Sequence, residues 1–324
     1  MAETPHNPWV HRWAVIAVLV SLLPVTMGAL TTTLDAGMAF NDWPTSDGHN
    51  MLTYPWFRSY GDKFIEHGHR LGGMLIGFVT LILVGVVFRL EKRRWVQFAT
   101  IAILLSVIGQ GLLGGGRVRM NARTLAMIHG QSAAWVVSLL ALLACWTSKS
   151  WRKPALGSTA DRVHGITPFV CILPVAILIQ YTLGGFLRHK HTAMQEHLVF
   201  AFVVMFFAIV AAVLLIRSGV PWLRNSGKQI AGLVLLQVAL GAGAWATRFG
   251  FATMGYVARA RSPEQTWLRT SHTIVGMMLL AAAVVAVART LRVASIAPTP
   301  KRFATTVART GVVPQSKTLT GSAS

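Results

Sequence analysis

Eight apolar runs divide this chain, each near residues 13–33, 66–88, 97–116, 124–147, 166–187, 193–216, 228–247 and 267–289. A run of about 20 apolar residues is long enough to cross the hydrocarbon of a bilayer as one helix. Lipid tolerates neither unpaired backbone nor open sheet edges, so such a chain is confined to an all-α integral membrane fold. Composition agrees, with 53% hydrophobic and only 12% charged residues. The first run follows Arg12 and has something of a signal peptide about it. Its length and the want of a convincing cleavage site favour a retained helix.

Loop charge sets the orientation. With the N-terminus inside, the inner segments hold Arg12, then Arg89, Lys92, Arg93 and Arg94, then Lys149, Arg152, Lys153 and Arg162, then Arg217, Arg224 and Lys228, and finally Arg289 and Arg292. The outer segments hold fewer bases and seven of the ten acids. Both termini are therefore expected in the cytoplasm. A net charge of +20 does not point to nucleic acid here, because it decorates inner loops that meet anionic lipid. Cys145 and Cys171 offer neither a disulfide framework nor a CxxC motif and read as packing residues. Residues 295–324, rich in Pro, Thr and Ser, are expected to form a disordered cytoplasmic tail.

The chain repeats itself. Odd-numbered runs end in Met27-Gly28-Ala29, Leu113-Gly114-Gly115, Leu183-Gly184-Gly185 and Leu240-Gly241-Ala242, and Gln110, Gln180 and Gln237 precede three of them. Each following even-numbered run opens with a histidine: His69, His129, His197 and His272. Small residues alone are common in membrane helices. Four copies, each coupled to a histidine, indicate tandem duplication. The halves, about 12–147 and 165–289, then share one orientation and should relate by a pseudo-twofold axis along the membrane normal. The fold expected is two tandem four-helix bundles. Glycines at the helix ends would let a flat macrocycle approach the backbone.

Helix starts are expected at Asp62, Asn121, Thr192 with Gln195, and Ser262-Pro263 with Gln265. At about 1.5 Å per residue, the four histidines then differ in depth by roughly 8 Å or less. Four imidazoles at one depth in lipid are costly unless something binds them, and paired axial ligation of haem iron fits, His69 with His129 and His197 with His272. The ordinary alternative for any one of them is a helix–helix hydrogen bond. Zinc would want further ligands or an open water position. Outer arginines such as Arg117, Arg188, Arg248 and Arg261 are either solvated loop charges or partners of propionates.

One feature separates the halves. Glu66 stands three residues before His69, on the same helix face. Glu196 directly precedes His197 and points about 100° away. A carboxylate beside iron can take protons, orient a water or orient the imidazole, and it can equally pair with Arg70 or Lys63. His67 reads as an interface residue. The long outer loop from Leu34 to Ile65 carries Asp42-Trp43-Pro44 and the aromatics Tyr54, Trp56, Phe57 and Tyr60, either as headgroup anchors or as a lid over the first-half site.

These residues resemble the haem A synthase family, the CtaA-type membrane enzymes of cytochrome oxidase biogenesis. The resemblance rests on Gly28-Ala29-Leu30 leading to Asp35-Ala36-Gly37 and Asp42-Trp43-Pro44, on Glu66-x-x-His69-Arg70, on Gly114-Gly115 followed by His129, and on His197 with His272. It implies haem O as substrate and haem A as product, the C8 methyl becoming a formyl group. His69 and His129, with Arg70, would hold substrate haem in an N-terminal half of residues 1–150, where Glu66 would be the catalytic carboxylate. His197 and His272 would ligate a haem b in a C-terminal half of residues 151–294. An external electron carrier is implied, and haem O synthase and cytochrome oxidase assembly factors are candidate partners. No cysteine lies between Leu34 and Ile65, which departs from many bacterial relatives and excludes a thiol step in that loop. A bacterial inner membrane is expected. The rival functions are a di-haem cytochrome b that relays electrons, and a haem carrier or transporter.

Overall fold

The computed structural model describes residues 6–154, 156, 162–250, 253 and 255–297. Eight long helices organise it: α1 Pro8–Thr33, α2 Gly61–Leu90, α3 Arg94–Arg119, α4 Arg123–Thr147, α5 Val163–Lys190, α6 Met194–Ile216, α7 Pro221–Phe249 and α8 Pro263–Ala294. All eight are long and apolar enough to cross a membrane, and the described residues form no strand. The protein is thus an all-helical, multi-pass membrane protein. Residues 298–324, most of the expected tail, lie outside the described residues.

Most helices run past the ends of the apolar runs. α1 begins at Pro8 and α7 at Pro221, prolines suited to a first helical turn because they have no N–H to leave unpaired. Of the four expected caps only Ser262 is seen, its side chain accepting from Gln265 N at 3.3 Å. α2 is capped by Tyr60, α4 by Ala122 and α6 by Ala193, none with a side-chain bond. Asn121 and Ala193 instead take left-handed backbone that turns the chain sharply between helices.

Neighbouring contacts run α1–α2–α3–α4 and back to α1, then α5–α6–α7–α8 and back to α5. The halves meet through α4–α8, α1–α8 and α4–α5. If α1 matches α5 and α4 matches α8, the last two contacts are equivalent, as a pseudo-twofold axis along the normal would require. α4 and α8 are the most enclosed spans. Across this seam Gln131 Nε2 donates to the Tyr181 carbonyl at 3.0 Å.

Packing differs along the helices. In the first half the buried apolar cluster comprises Val10, Ala14 and Ala17 with Ile76, Leu83, Val96, Ile103, Leu140 and Leu143. Large apolar residues such as Phe98, Leu105, Phe202 and Leu235 face outward, where lipid covers them. Beyond the end of α2 away from His69, Glu91, 3% exposed, pairs with Arg93 at 2.8 Å and Arg152 at 2.9 Å. Trp95, Trp146, Trp151 and Trp222 follow in edge-to-face contact from one half to the other. The end away from the histidines is therefore closed by packing and charge pairing.

Candidate haem sites

The four histidines meet in two pairs. His69 on α2 and His129 on α4 have ring centroids 5.9 Å apart at 77°. His197 on α6 and His272 on α8 lie 6.4 Å apart at 83°. With a metal–imidazole bond of about 2 Å, two rings on opposite sides of one metal place their centroids about 6 Å apart. Both pairs match that span. Among the described residues no cluster of three or more His, Cys, Asp or Glu forms a metal site. Bare zinc would lack ligands here, whereas a porphyrin brings its own four nitrogens and asks only for two axial imidazoles.

The repeated glycines explain how the rings are held. A Cβ on Gly28 would lie 2.7 Å from His69 Cε1; on Gly114, 3.2 Å from His129 Cε1; on Gly184, 3.1 Å from His197 Cε1; and on Gly241, 3.0 Å from His272 Cε1. These positions were expected to admit a macrocycle. They bring the imidazoles against the backbone of the preceding helix, Cε1 closest in each case. α1 and α2 also close tightly at Gly72, whose added Cβ would meet Pro24 at 3.1 Å.

One turn before Gly28 and Gly241, the main chain meets the ring. His69 Nδ1 lies 2.9 Å from the Pro24 carbonyl and His272 Nδ1 3.2 Å from the Gln237 carbonyl. His197 Nδ1 instead lies 3.2 Å from the side-chain amide nitrogen of Gln180, and His129 Nδ1 has no hydrogen-bond partner among the described residues. A carbonyl can only accept, so Nδ1 of His69 and His272 carries the proton; Nε2 of His69 then keeps its lone pair for a metal, while Nε2 of His272 faces the side-chain amide nitrogen of Gln237 at 3.4 Å. A carbonyl at Nδ1 is the arrangement that orients metal-ligating histidines. Two glutamines of the repeat therefore meet a ring, Gln237 through its carbonyl and Gln180 through its side-chain amide.

The outer loop lies over the first pair. Trp43 packs on Gly115, where an added Cβ would come within 2.3 Å of its ring, and Trp56 with Met27 packs on Gly68. Glu66, 2% exposed, accepts from Ala39 N at 2.7 Å and Phe40 N at 3.3 Å, and pairs with Arg70 at 2.7 Å. Arg70 also donates to the carbonyls of Asp42 at 2.9 Å and Thr45 at 2.7 Å. Arg117 on α3 donates to the Gly37 carbonyl and feels the Glu66 charge. Glu66 and Arg70 thus hold the loop down. His67 is fully buried, bonded through Nδ1 to Ser46 Oγ at 3.0 Å and ringed by Tyr54. Arg117 and Trp43 were visible as an outer base and a loop aromatic, but nothing in their spacing tied them to each other or to Glu66.

The family profile of the cytochrome oxidase assembly protein family, COX15-CtaA, matches residues 11–196. The chain belongs to that family. The match takes in Glu66, His69, Arg70 and His129 and stops one residue before His197. Among curated relatives of this family member, the heme A synthase of Rhizobium johnstonii is 32% identical over 103 residues, 30% of this chain and 28% of that protein. The heme A synthase of Mesorhizobium japonicum is 28% identical over 134 residues, 39% of this chain and 37% of its own length. That of Rickettsia canadensis is 28% identical over 110 residues, 32% of each chain. The matches thus span well under half the length of the relatives.

Proposed function

We propose that the protein is a haem A synthase, an oxidoreductase that converts the C8 methyl of haem O to the formyl group of haem A. The observation that carries this reading is the pairing of four glycine-backed imidazoles at 5.9 Å and 6.4 Å, with the first pair roofed by a loop and a carboxylate. Residues 1–150 form the substrate half, in which His69 and His129 hold haem O. Residues 151–294 form the resident half, in which His197 and His272 hold haem b.

Bound haem b supplies one-electron redox chemistry, and its potential is set by its axial imidazoles and burial. The chain does the rest. Pro24 and Gln237 fix the tautomers of His69 and His272. The loop over the first pair encloses the methyl carbon; each of two hydroxylations takes its oxygen from water and releases two electrons and two protons, and the resulting diol loses water to leave the formyl group. Glu66, held by two backbone N–H groups and Arg70, is the proton acceptor at that face. Arg70 belongs to the substrate-binding set as the residue that locks the roof over haem O. Electrons leave to an external carrier. The chain sits in a bacterial inner membrane with both termini cytoplasmic and both haem sites near the periplasmic face. It takes its substrate from haem O synthase and passes haem A toward cytochrome oxidase assembly.

Expression in a host that makes haem O, followed by chromatography of the extracted haems, tests the activity. The expected extract contains formyl haem together with haem b. Unmodified haem in both sites would instead identify an electron relay, and loosely held, exchangeable haem a carrier.

A further inference from the structure

Arg188 lies on α5, one turn beyond the Gly184 that backs His197. Its guanidinium donates to the hydroxyl of Thr273, the residue after His272, and to the Ala29 carbonyl and the Thr33 hydroxyl of α1, the last at 2.8 Å. Ala29 follows the Gly28 that backs His69. Every one of these acceptors is neutral. The Nε of Arg188 is enclosed and finds no protein acceptor. Among the described residues no carboxylate forms an ion pair with it. The acid that acts on it, Asp35, is exposed and lies 3.7 Å from Arg261. The other cation nearby, Arg269, adds to the positive charge.

A full charge set between membrane helices is costly without an opposite charge. Guanidinium is the group best shaped for a carboxylate, which it can grip through two parallel N–H bonds. We propose that Arg188, with Arg269 beside it, is the anion seat of the second-half site and receives the carboxylate edge of the porphyrin held by His197 and His272. Because the same side chain grips Ala29 and Thr33, it also ties that site to the helix that backs His69. Its charge favours the ferrous form of the resident haem. This rests on the haem reading above and names the residue that fixes the porphyrin's rotation about its axial bonds. Arg188 acts as a positioning residue.

Arg188→Gln and Arg188→Lys in the full-length, haem-loaded protein test it by redox titration and by haem retained per chain. Arg188→Gln is expected to shift the ferric–ferrous equilibrium of the resident haem about tenfold toward ferric, a fall of about 59 mV in a one-electron midpoint potential. It should also lose haem on gel filtration. Arg188→Lys keeps the charge and is expected to recover most of the potential. Wild-type potential and haem retention in Arg188→Gln would overturn the proposal. So would equal losses in both variants that follow a shared fall in melting temperature, since that marks a packing role. Loss of a bound phospholipid phosphate with no change in potential would give the seat to a lipid headgroup and overturn it as well. A wild type that holds haem b but makes no formyl haem would sink the proposed activity, and leave this assignment to be decided by the potential alone.

Discussion

Gly28 and His69 are in direct contact: a single added methyl on the glycine would stand 2.7 Å from the imidazole Cε1. The neighbouring Pro24 carbonyl fixes the tautomer of the same ring. Gly28→Ala must therefore tilt His69 or part α1 from α2. Disturbing the groups that orient a metal ligand costs about 10–100-fold in affinity. The expected outcome is a comparable loss of first-half haem, with second-half haem retained. Gly241→Ala should do the reverse through His272, where the added Cβ comes to 3.0 Å. Absorbance and haem content of the two variants, read side by side, check this.

Glu66 holds two loop N–H groups and one arginine, so its removal has a structural cost as well as a chemical one. Deleting one partner of a buried ion pair costs about 3–5 kcal/mol. Glu66→Ala is therefore expected to free the loop and abolish formyl haem together, while the helices stay folded. Glu66→Gln keeps an acceptor for Ala39 N and should leave haem binding near wild type, yet reduce formyl haem by about 10²–10⁴-fold, the usual contribution of a general base. Chromatography of haems from both variants, with protease susceptibility of residues 34–60, separates the two effects. Undiminished haem A from Glu66→Gln would reject its catalytic role.

Much of this architecture is legible from residue order. The eight spans follow from hydropathy, because lipid enforces a helix wherever the backbone must satisfy itself. The pairing of His69 with His129 and of His197 with His272 follows from the repeat. What could not be read depends on the path of the outer loop. Glu66 looks free to face His69 on a helical wheel, but the loop brings Ala39 and Phe40 N–H groups to it. Asp62, Asn121 and Thr192 have cap chemistry, yet the helices start elsewhere because tight turns at Asn121 and Ala193 set where the backbone becomes helical. Arg188 could be seen only as an outer base, since its neighbours on α1 and α8 are far away in sequence.

The loop has its own acid limit. Burial pushes the Asp42 carboxyl up, but the Thr45 side chain and the Gly48 and Asp47 N–H groups outweigh it and hold the pKa at about 2, from an ordinary 3.8. A carboxyl so depressed stabilises the fold above its unfolded pKa, and that contribution is lost as pH falls through the folded value. The Asp42 turn is therefore expected to hold fully above pH about 4 and to loosen between about 4 and 2. Asp42→Asn should remove that pH dependence. Proteolysis of residues 34–60 after acid pulses measures it, and identical pH profiles for Asp42→Asn and wild type would reject the assignment.

Glu91 plays a corresponding part beyond the end of α2 away from His69. Burial raises its pKa, while hydrogen bonding and charge from Arg93 and then Arg152 more than offset this and leave it below the ordinary carboxylate value. Arg93 also donates to the Trp146 carbonyl at 3.1 Å, so the cluster ties the α2–α3 turn to the end of α4. Glu91→Ala takes the shared carboxylate from Arg93 and Arg152 and is expected to destabilise the protein by about 3–5 kcal/mol. A clear fall in melting temperature in detergent, with haem spectra unchanged below the transition, is the expected result. The stabilisation is present above the ordinary glutamate pKa and fades as pH falls below it.

Electron paramagnetic resonance of the oxidised, purified protein shows directly whether each half grips one iron porphyrin between two imidazoles. The expected spectrum contains two low-spin ferric signals of bis-imidazole type. His69→Ala or His129→Ala should remove one, and His197→Ala or His272→Ala the other. A protein that is folded and grown with ample porphyrin, yet shows no low-spin haem or loses both signals to any single substitution, would contradict this ligation.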